Sequence, residues 1–119
     1  MLVVVRDADT MAGWEKIVVV SEKEEKELLY YYDGIFPRIN AFGKEIANWN
    51  LVHFAKANKN AIKKIEQLVY EILRIAWTHG ELVSKMYFSQ GAYSKYIIND
   101  KAAIQRIIQL IEQISELLP

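Results

Sequence analysis

The chain has 119 residues with 15 basic and 15 acidic side chains, so its formal net charge is zero. This length fits one domain, and an apolar fraction of 52% is typical of a folded globular protein rather than a disordered one. The absence of cysteine excludes disulfides, thiolate metal sites and a cysteine nucleophile, and together with abundant Ile, Lys, Glu and Tyr it fits a thermophile.

Two β-branched runs open the chain, at residues 2–5 and 16–20, and a polar stretch containing Gly13 joins them. This pattern predicts a β-hairpin with a long loop. Because a two-stranded ribbon is marginally stable alone, we expect residues 1–20 to form an appendage that packs on helices or on another chain. Trp14, in the hairpin loop, is the candidate contact for a protein partner.

Helical signals follow over residues 21–119. Ser21 and Glu24 form a capping box, which predicts a helix that runs to about Tyr32. A second helix is expected over residues 40–57, where apolar side chains recur every three or four positions.

The strongest periodicity begins at Ala61 and predicts a helix that ends at Gly80 or continues to about Phe88. Its buried stripe is expected to contain Ile62, Ile65, Leu68, Val69, Ile72, Ile75 and Ala76. Residues 93–98 fit either a short extended segment or a helical turn.

Asp100 is expected to cap a last helix. The predicted buried stripe of this helix is Ile104, Ile107, Ile108, Ile111, Ile114 and Leu118. The sequence thus predicts a mainly α fold, a small helical bundle of four to five helices with an N-terminal β-hairpin, in a single domain over residues 1–119.

The charges are distributed unevenly along the chain. Residues 1–33 are acidic, whereas residues 34–64 hold six bases and one acid. On a continuous helix Lys56, Lys59 and Lys63 would form one stripe, able to neutralise several phosphates. The alternative is a solvated face that complements the acids of residues 22–27. The candidate nucleic-acid-binding residues are Arg38, Lys44, Lys56, Lys59, Lys63 and Lys64.

No motif for metal or nucleotide chemistry is present in the sequence. The two histidines, His53 and His79, stand in neither an HxH nor an HExxH arrangement, and the glycines form no phosphate-binding loop. We therefore expect no metal and no cofactor.

The spacing from Arg74 to His79 matches an R-x4-H core that resembles the HEPN ribonuclease family, a helical-bundle fold. The resemblance implies metal-independent RNA cleavage across a dimer, with His79 as general acid or base and Arg74 stabilising phosphate charge. The chain departs from the family pattern at Ile75 and after the histidine. The alternative is a surface arginine and a histidine favoured by the helix dipole.

The overall layout of a helical bundle, a β appendage, one basic helix and no catalytic motif resembles the small subunit of archaeal CRISPR effector (Cascade-type) complexes. The resemblance extends to residues 93–100, which precede the isoleucine-rich last helix. It implies a non-enzymatic, antiviral subunit that contacts the backbone of RNA or single-stranded DNA without sequence readout, beside other subunits and copies of itself.

The leading prediction is therefore a non-enzymatic subunit of a nucleoprotein assembly. The alternatives are a HEPN-like ribonuclease or toxin, and a viral or scaffold protein that binds only protein. Because residues 1–5 are too short an apolar run for a signal peptide, and no run approaches the roughly 18–20 apolar residues of a membrane helix, we expect a cytoplasmic protein with no membrane partner.

Overall fold

The computed structural model describes residues 1–9, 14–22, 25–31, 39–41, 44–46, 57–89 and 91–118. The elements in chain order are β1 Leu2–Asp9, β2 Trp14–Ser21, β3 Glu25–Tyr31, β4 Ile39–Ala41, β5 Lys44–Ile46, α1 Lys59–His79, β6 Glu81–Phe88, β7 Gly91–Ile98 and α2 Lys101–Leu117. Five strands form one antiparallel sheet in the order β3-β2-β1-β7-β6, and β4 and β5 form a separate two-stranded sheet.

The prediction of a small helical bundle is wrong, because the described part of the chain is an α+β fold with two long helices and an antiparallel sheet. The helix expected from the capping box of Ser21 and Glu24 is instead strand β3, which pairs with β2 along its length. Pairing with a neighbouring strand outweighs a local capping signal, since propensity is a weak prior against tertiary context.

The helix predicted over residues 40–57 is wrong at residues 40–41 and 44–46, which are strand, whereas Ala57 is helical. Strands β4 and β5 pair with each other, with Ala41 opposite Lys44. Residues 47–56 lie outside the described residues.

Helix α1 ends at His79, so the prediction that Gly80 terminates it is confirmed and its continuation to Phe88 is wrong. The amide of Gly80 donates to the Ala76 carbonyl at 2.9 Å, and the next residue already belongs to β6. A Cβ on Gly80 would lie 2.5 Å from the Ala76 oxygen. The abrupt change from helix to strand therefore requires glycine at this position.

The hairpin of β1 and β2 is confirmed, but the idea that it is an appendage is wrong. Strand β1 is the middle strand of the sheet, where Val4 lies opposite both Val19 of β2 and Tyr96 of β7. Strand β7 also settles the ambiguity over residues 93–98 in favour of the extended segment.

One hydrophobic core joins alternate residues of the sheet to the two helices. Since side chains on a strand alternate between faces, the buried strand residues point to the helix side. The core residues are Leu2, Val4, Ile17, Val19 and Ile98 from the strands, Ile65, Leu68, Val69, Ile72 and Ala76 from α1, and Ala103, Ile107, Leu110, Ile111, Ile114 and Leu118 from the end of the chain.

The buried stripes of both helices thus largely follow their predicted periodicity, except that Ile108 is 43% exposed. Asp100 caps α2 as predicted, because its carboxylate accepts a hydrogen bond from the Ala103 amide at 3.0 Å. Arg106 of α2 and Glu71 of α1 form an ion pair at 2.9 Å across the helices. Neither described helix is both long and apolar enough to cross a bilayer.

Two neighbouring isoleucines on α2 test this assignment of the core. Ile107 is fully buried and Ile108 is 43% exposed. We expect Ile107→Ala to lower the free energy of unfolding by about 2–5 kcal/mol, because it removes buried methyl groups and leaves a cavity. Ile108→Ala should lower it by less than about 1 kcal/mol. Urea unfolding of both variants measures the difference, and equal losses would contradict this packing.

Candidate nucleic-acid interface

The outward face of α1 carries cations and aromatic side chains, because the apolar residues of the same helix are committed to the core. At roughly 100° per residue, the five residues of this face lie within about 60° of one another around the helix axis. We call them the α1 stripe: Lys59, Lys63, Tyr70, Arg74 and Trp77. All five are exposed, with Tyr70 at 57% and Trp77 at 75%.

The structure separates the predicted lysines. Lys59 and Lys63 lie on the α1 stripe, whereas Lys64, also exposed, points roughly 100° away from Lys63. Arg38 and Lys56 lie outside the described residues. The same holds for the side chains of Lys44, whose backbone is in β5, and of Trp14, which begins β2 rather than lying in a loop.

The lysines of the stripe are available to a ligand. Neither Lys59 nor Lys63 takes part in the ion pairs seen between described residues, such as those of Arg6 with Glu15 and of Arg106 with Glu71. The acidic helix that was the alternative partner for these lysines does not form, because residues 25–31 are strand β3.

A cleft opens at the C-terminal end of the α1 stripe, between α1 and the sheet. Its volume is about 650 Å³, and Tyr70, Arg74 and Trp77 form its helical wall. Because Gly80 alone connects α1 to β6, the end of the helix and the edge of the sheet are held side by side. The remaining lining residues are Arg6, Leu73, Gly80, Leu82, Lys85, Tyr87, Ala92, Tyr93, Ser94 and Tyr96.

Lys85 and Tyr87 form a cation–aromatic pair on β6. They are two positions apart on one strand, hence on the same face, and the Lys85 ammonium lies 4.8 Å from the centre of the Tyr87 ring. The hydrogen bond with Tyr87, and then the charge of its phenolate form, raise the pKa of Lys85 above its ordinary value. Lys85 is a cation at neutral pH, as lysine ordinarily is, and it lies beside Tyr87, which is 74% exposed.

A partly buried ion pair borders the cleft. Glu15 of β2 is 1% exposed, and its carboxylate lies 3.0 Å from the Arg6 guanidinium, whose side chain is 42% exposed and lines the cleft. Glu15 therefore offsets the charge of Arg6, so that among the described residues lining the cleft the remaining positive charge is that of Arg74 and Lys85.

The two residues of the R-x4-H spacing both lie at the end of α1. Arg74 and His79 are exposed and line a shallow depression of about 580 Å³ beside the cleft, together with Gln67, Tyr70, Glu71, Ile75 and Thr78. Because Arg74 and His79 are five residues apart on the helix, their side chains point roughly 140° away from each other around its axis. The helical bundle of the HEPN family is not the fold of this chain. Arg74 also lines the cleft, in addition to this depression.

Five residues of this surface were not among the binding residues that the sequence predicts: Arg6, Tyr70, Trp77, Lys85 and Tyr87. Tyr70, Arg74 and Trp77 recur at four and three residues, so the periodicity of α1 contained the signal for a shared face. Lys85 and Tyr87 could not be predicted as part of this surface, because their position depends on the end of the helix at His79 and on the strand that follows it.

No protein-family model matches this chain, and neither a curated protein nor a solved structure matches it. The layout that supported the resemblance to a CRISPR small subunit was the helical bundle, which is wrong for this chain. Within the described residues, no three His, Asp or Glu side chains gather into a group that could hold a metal ion. Function is therefore inferred from the α1 stripe and the cleft.

Proposed function

We propose that this protein is a non-enzymatic binding protein for single-stranded nucleic acid, which it holds by its backbone and bases without sequence readout. The observation that carries the proposal is the alternation of exposed aromatic rings and cations on one continuous surface. Tyr70 and Trp77 flank Arg74 on the α1 stripe, and Tyr87 accompanies Lys85 across the cleft.

The aromatic side chains favour a single strand over a duplex. Trp77 and Tyr87 are about three-quarters exposed, which leaves much of each ring surface open to a stacking partner. Unpaired bases stack on such rings, with about 1–3 kcal/mol per base, whereas the bases of a duplex are already stacked on each other. Stacking on any base is sequence-tolerant because every base has a π-face.

The cations supply the attraction for phosphates. The α1 stripe runs about 27 Å from Lys59 to Trp77, at about 1.5 Å per residue, so its ends lie far enough apart to contact several phosphates of one strand. Glu66 is the acid that borders the stripe, about 40° from Tyr70. The attraction is therefore local, which is compatible with a formal net charge of zero for the whole chain.

The aromatic contribution is tested with Trp77→Ala. Since Trp77 is 75% exposed, its removal leaves the core intact. We expect the affinity for a fluorescein-labelled oligothymidylate or oligouridylate to fall about 5- to 150-fold, the equivalent of one lost base stack. Fluorescence anisotropy measures the affinity, and a duplex of the same length should bind more weakly and respond little to the substitution. Wild-type protein that binds neither oligonucleotide at low salt would refute the proposal.

The cationic contribution is tested with the double variant Lys59→Ala and Lys63→Ala. Each lost phosphate contact should reduce the slope of log affinity against log salt by about 0.7 for a single strand. The control is Lys64→Ala, which removes an equally charged, exposed lysine of the same helix that points away from the stripe. The control should bind like wild type. If the control variant bound the oligonucleotide more weakly than the double variant, the interface would lie on another face of α1.

A further inference from the structure

Strand β6 is one edge of the five-stranded sheet. It pairs with β7 on one side, and on its other side no described strand adjoins it. Seven of its eight residues are exposed. Five of them are large and apolar, namely Leu82, Val83, Met86, Tyr87 and Phe88, with exposed fractions from 43% to 74%. An edge strand with exposed apolar side chains is a template for pairing with another strand.

The second half of β6 is the regular part of this edge. The register with β7 shifts between Leu82 and Ser84, so Val83 is an extra residue that interrupts the first half. From Ser84 to Phe88 the pairing with β7 is continuous. Lys85 and Tyr87 point to the cleft side, and Ser84, Met86 and Phe88 therefore point to the opposite face of the sheet.

We propose that a second copy of this chain pairs with β6, strand to strand and antiparallel, about a two-fold axis at Met86. In this register Met86 faces Met86, Ser84 faces Phe88, and Lys85 faces Tyr87 of the other copy. Every pair then joins residues of the same face, as an antiparallel ladder requires. The strand is self-complementary because each cation meets an aromatic ring, the combination that Lys85 and Tyr87 already form within one chain.

The neighbouring registers are less favourable. An axis at Lys85 places the two lysines directly opposite each other, and like charges in that position destabilise a sheet. An axis at Tyr87 moves Lys85 opposite Ser89, beyond the end of the strand, and shortens the ladder. The apolar pair at Met86 is therefore the centre that the sequence of β6 specifies.

Such a dimer has a consequence for the cleft. A two-fold axis perpendicular to the sheet leaves the helices of both copies on the same side of one continuous ten-stranded sheet. Because β6 contributes Leu82, Lys85 and Tyr87 to the cleft, the two clefts would lie next to each other across the axis. The pairing itself needs no nucleic acid. Only the use of the two adjacent clefts as one binding surface rests on the proposed function.

The absence of cysteine in the chain permits a direct test by single-cysteine crosslinking. Met86→Cys should form a disulfide-linked dimer under mild oxidation, because residue 86 faces its own copy across the axis. The matched control is Ile108→Cys on α2, where the native side chain is 43% exposed against 49% for Met86. The control should crosslink at least tenfold more slowly. Equal rates at the two positions would refute the pairing.

Light scattering after gel filtration of the unmodified chain, without nucleic acid, provides the second measurement. We expect a dimer mass that falls towards the monomer on dilution, and a monomer at every concentration for Met86→Lys. Ile108→Lys should retain the mass of the unmodified chain, and circular dichroism should show that both variants keep their helix and strand content. A monomer mass for the unmodified chain up to millimolar concentration would overturn the proposal whether or not the protein binds an oligonucleotide.

Discussion

The burial of one face of α1 determines where its other face points. Ile65, Val69 and Ile72 pack into the core that α2 and the strands share, and each such side chain stabilises the fold by about 1.5–3 kcal/mol when fully buried. Rotating the helix to hide Tyr70 or Trp77 would expose these residues instead. The cations and rings of the α1 stripe are therefore held outward by the hydrophobic effect, independently of any ligand.

The cleft follows from a second constraint, the single-residue connection between α1 and β6. Gly80 is the single residue between the end of the helix and the first residue of the strand, so the last turn of α1 lies directly beside the sheet edge. The ion pair between Arg6 and the buried Glu15 holds a guanidinium in the lining of the cleft, to which Gly80 also contributes. An uncompensated carboxylate at the position of Glu15 would be costly, which gives the pair a structural role as well.

The parts of the fold that were predictable are those where one local signal is strong and tertiary structure agrees with it. The apolar period of α1 and α2 and the cap at Asp100 are of this kind, and so is the hairpin of β1 and β2. Strand β3 was not predictable from the sequence. The capping box at Ser21 indicates a helix, whereas the pairing with β2 that makes this segment a strand leaves no local signal in the sequence. In β6 the extra residue Val83 disrupts the alternation that identifies a strand.

The candidate site divides in the same way. Lys59 and Lys63 were found because helical spacing alone places them on one face, and Lys64 was included because a charge count does not distinguish faces. Lys85 and Tyr87 belong to the site only through the fold, since β6 brings them opposite α1. The candidate surface thus combines a helix whose position could be predicted from the sequence with a strand whose position could not.

Amide chemical-shift mapping shows whether one face of α1 and the adjoining part of the sheet together form the ligand surface. A ¹⁵N-labelled sample titrated with a short oligothymidylate should shift the amides of Lys63, Tyr70, Arg74 and Trp77 and those of Lys85 and Tyr87. Exposed α2 residues such as Gln109 and Gln113 should stay unchanged. Shifts confined to α2, or a spectrum that does not change at low salt, would show that this surface does not bind the oligonucleotide.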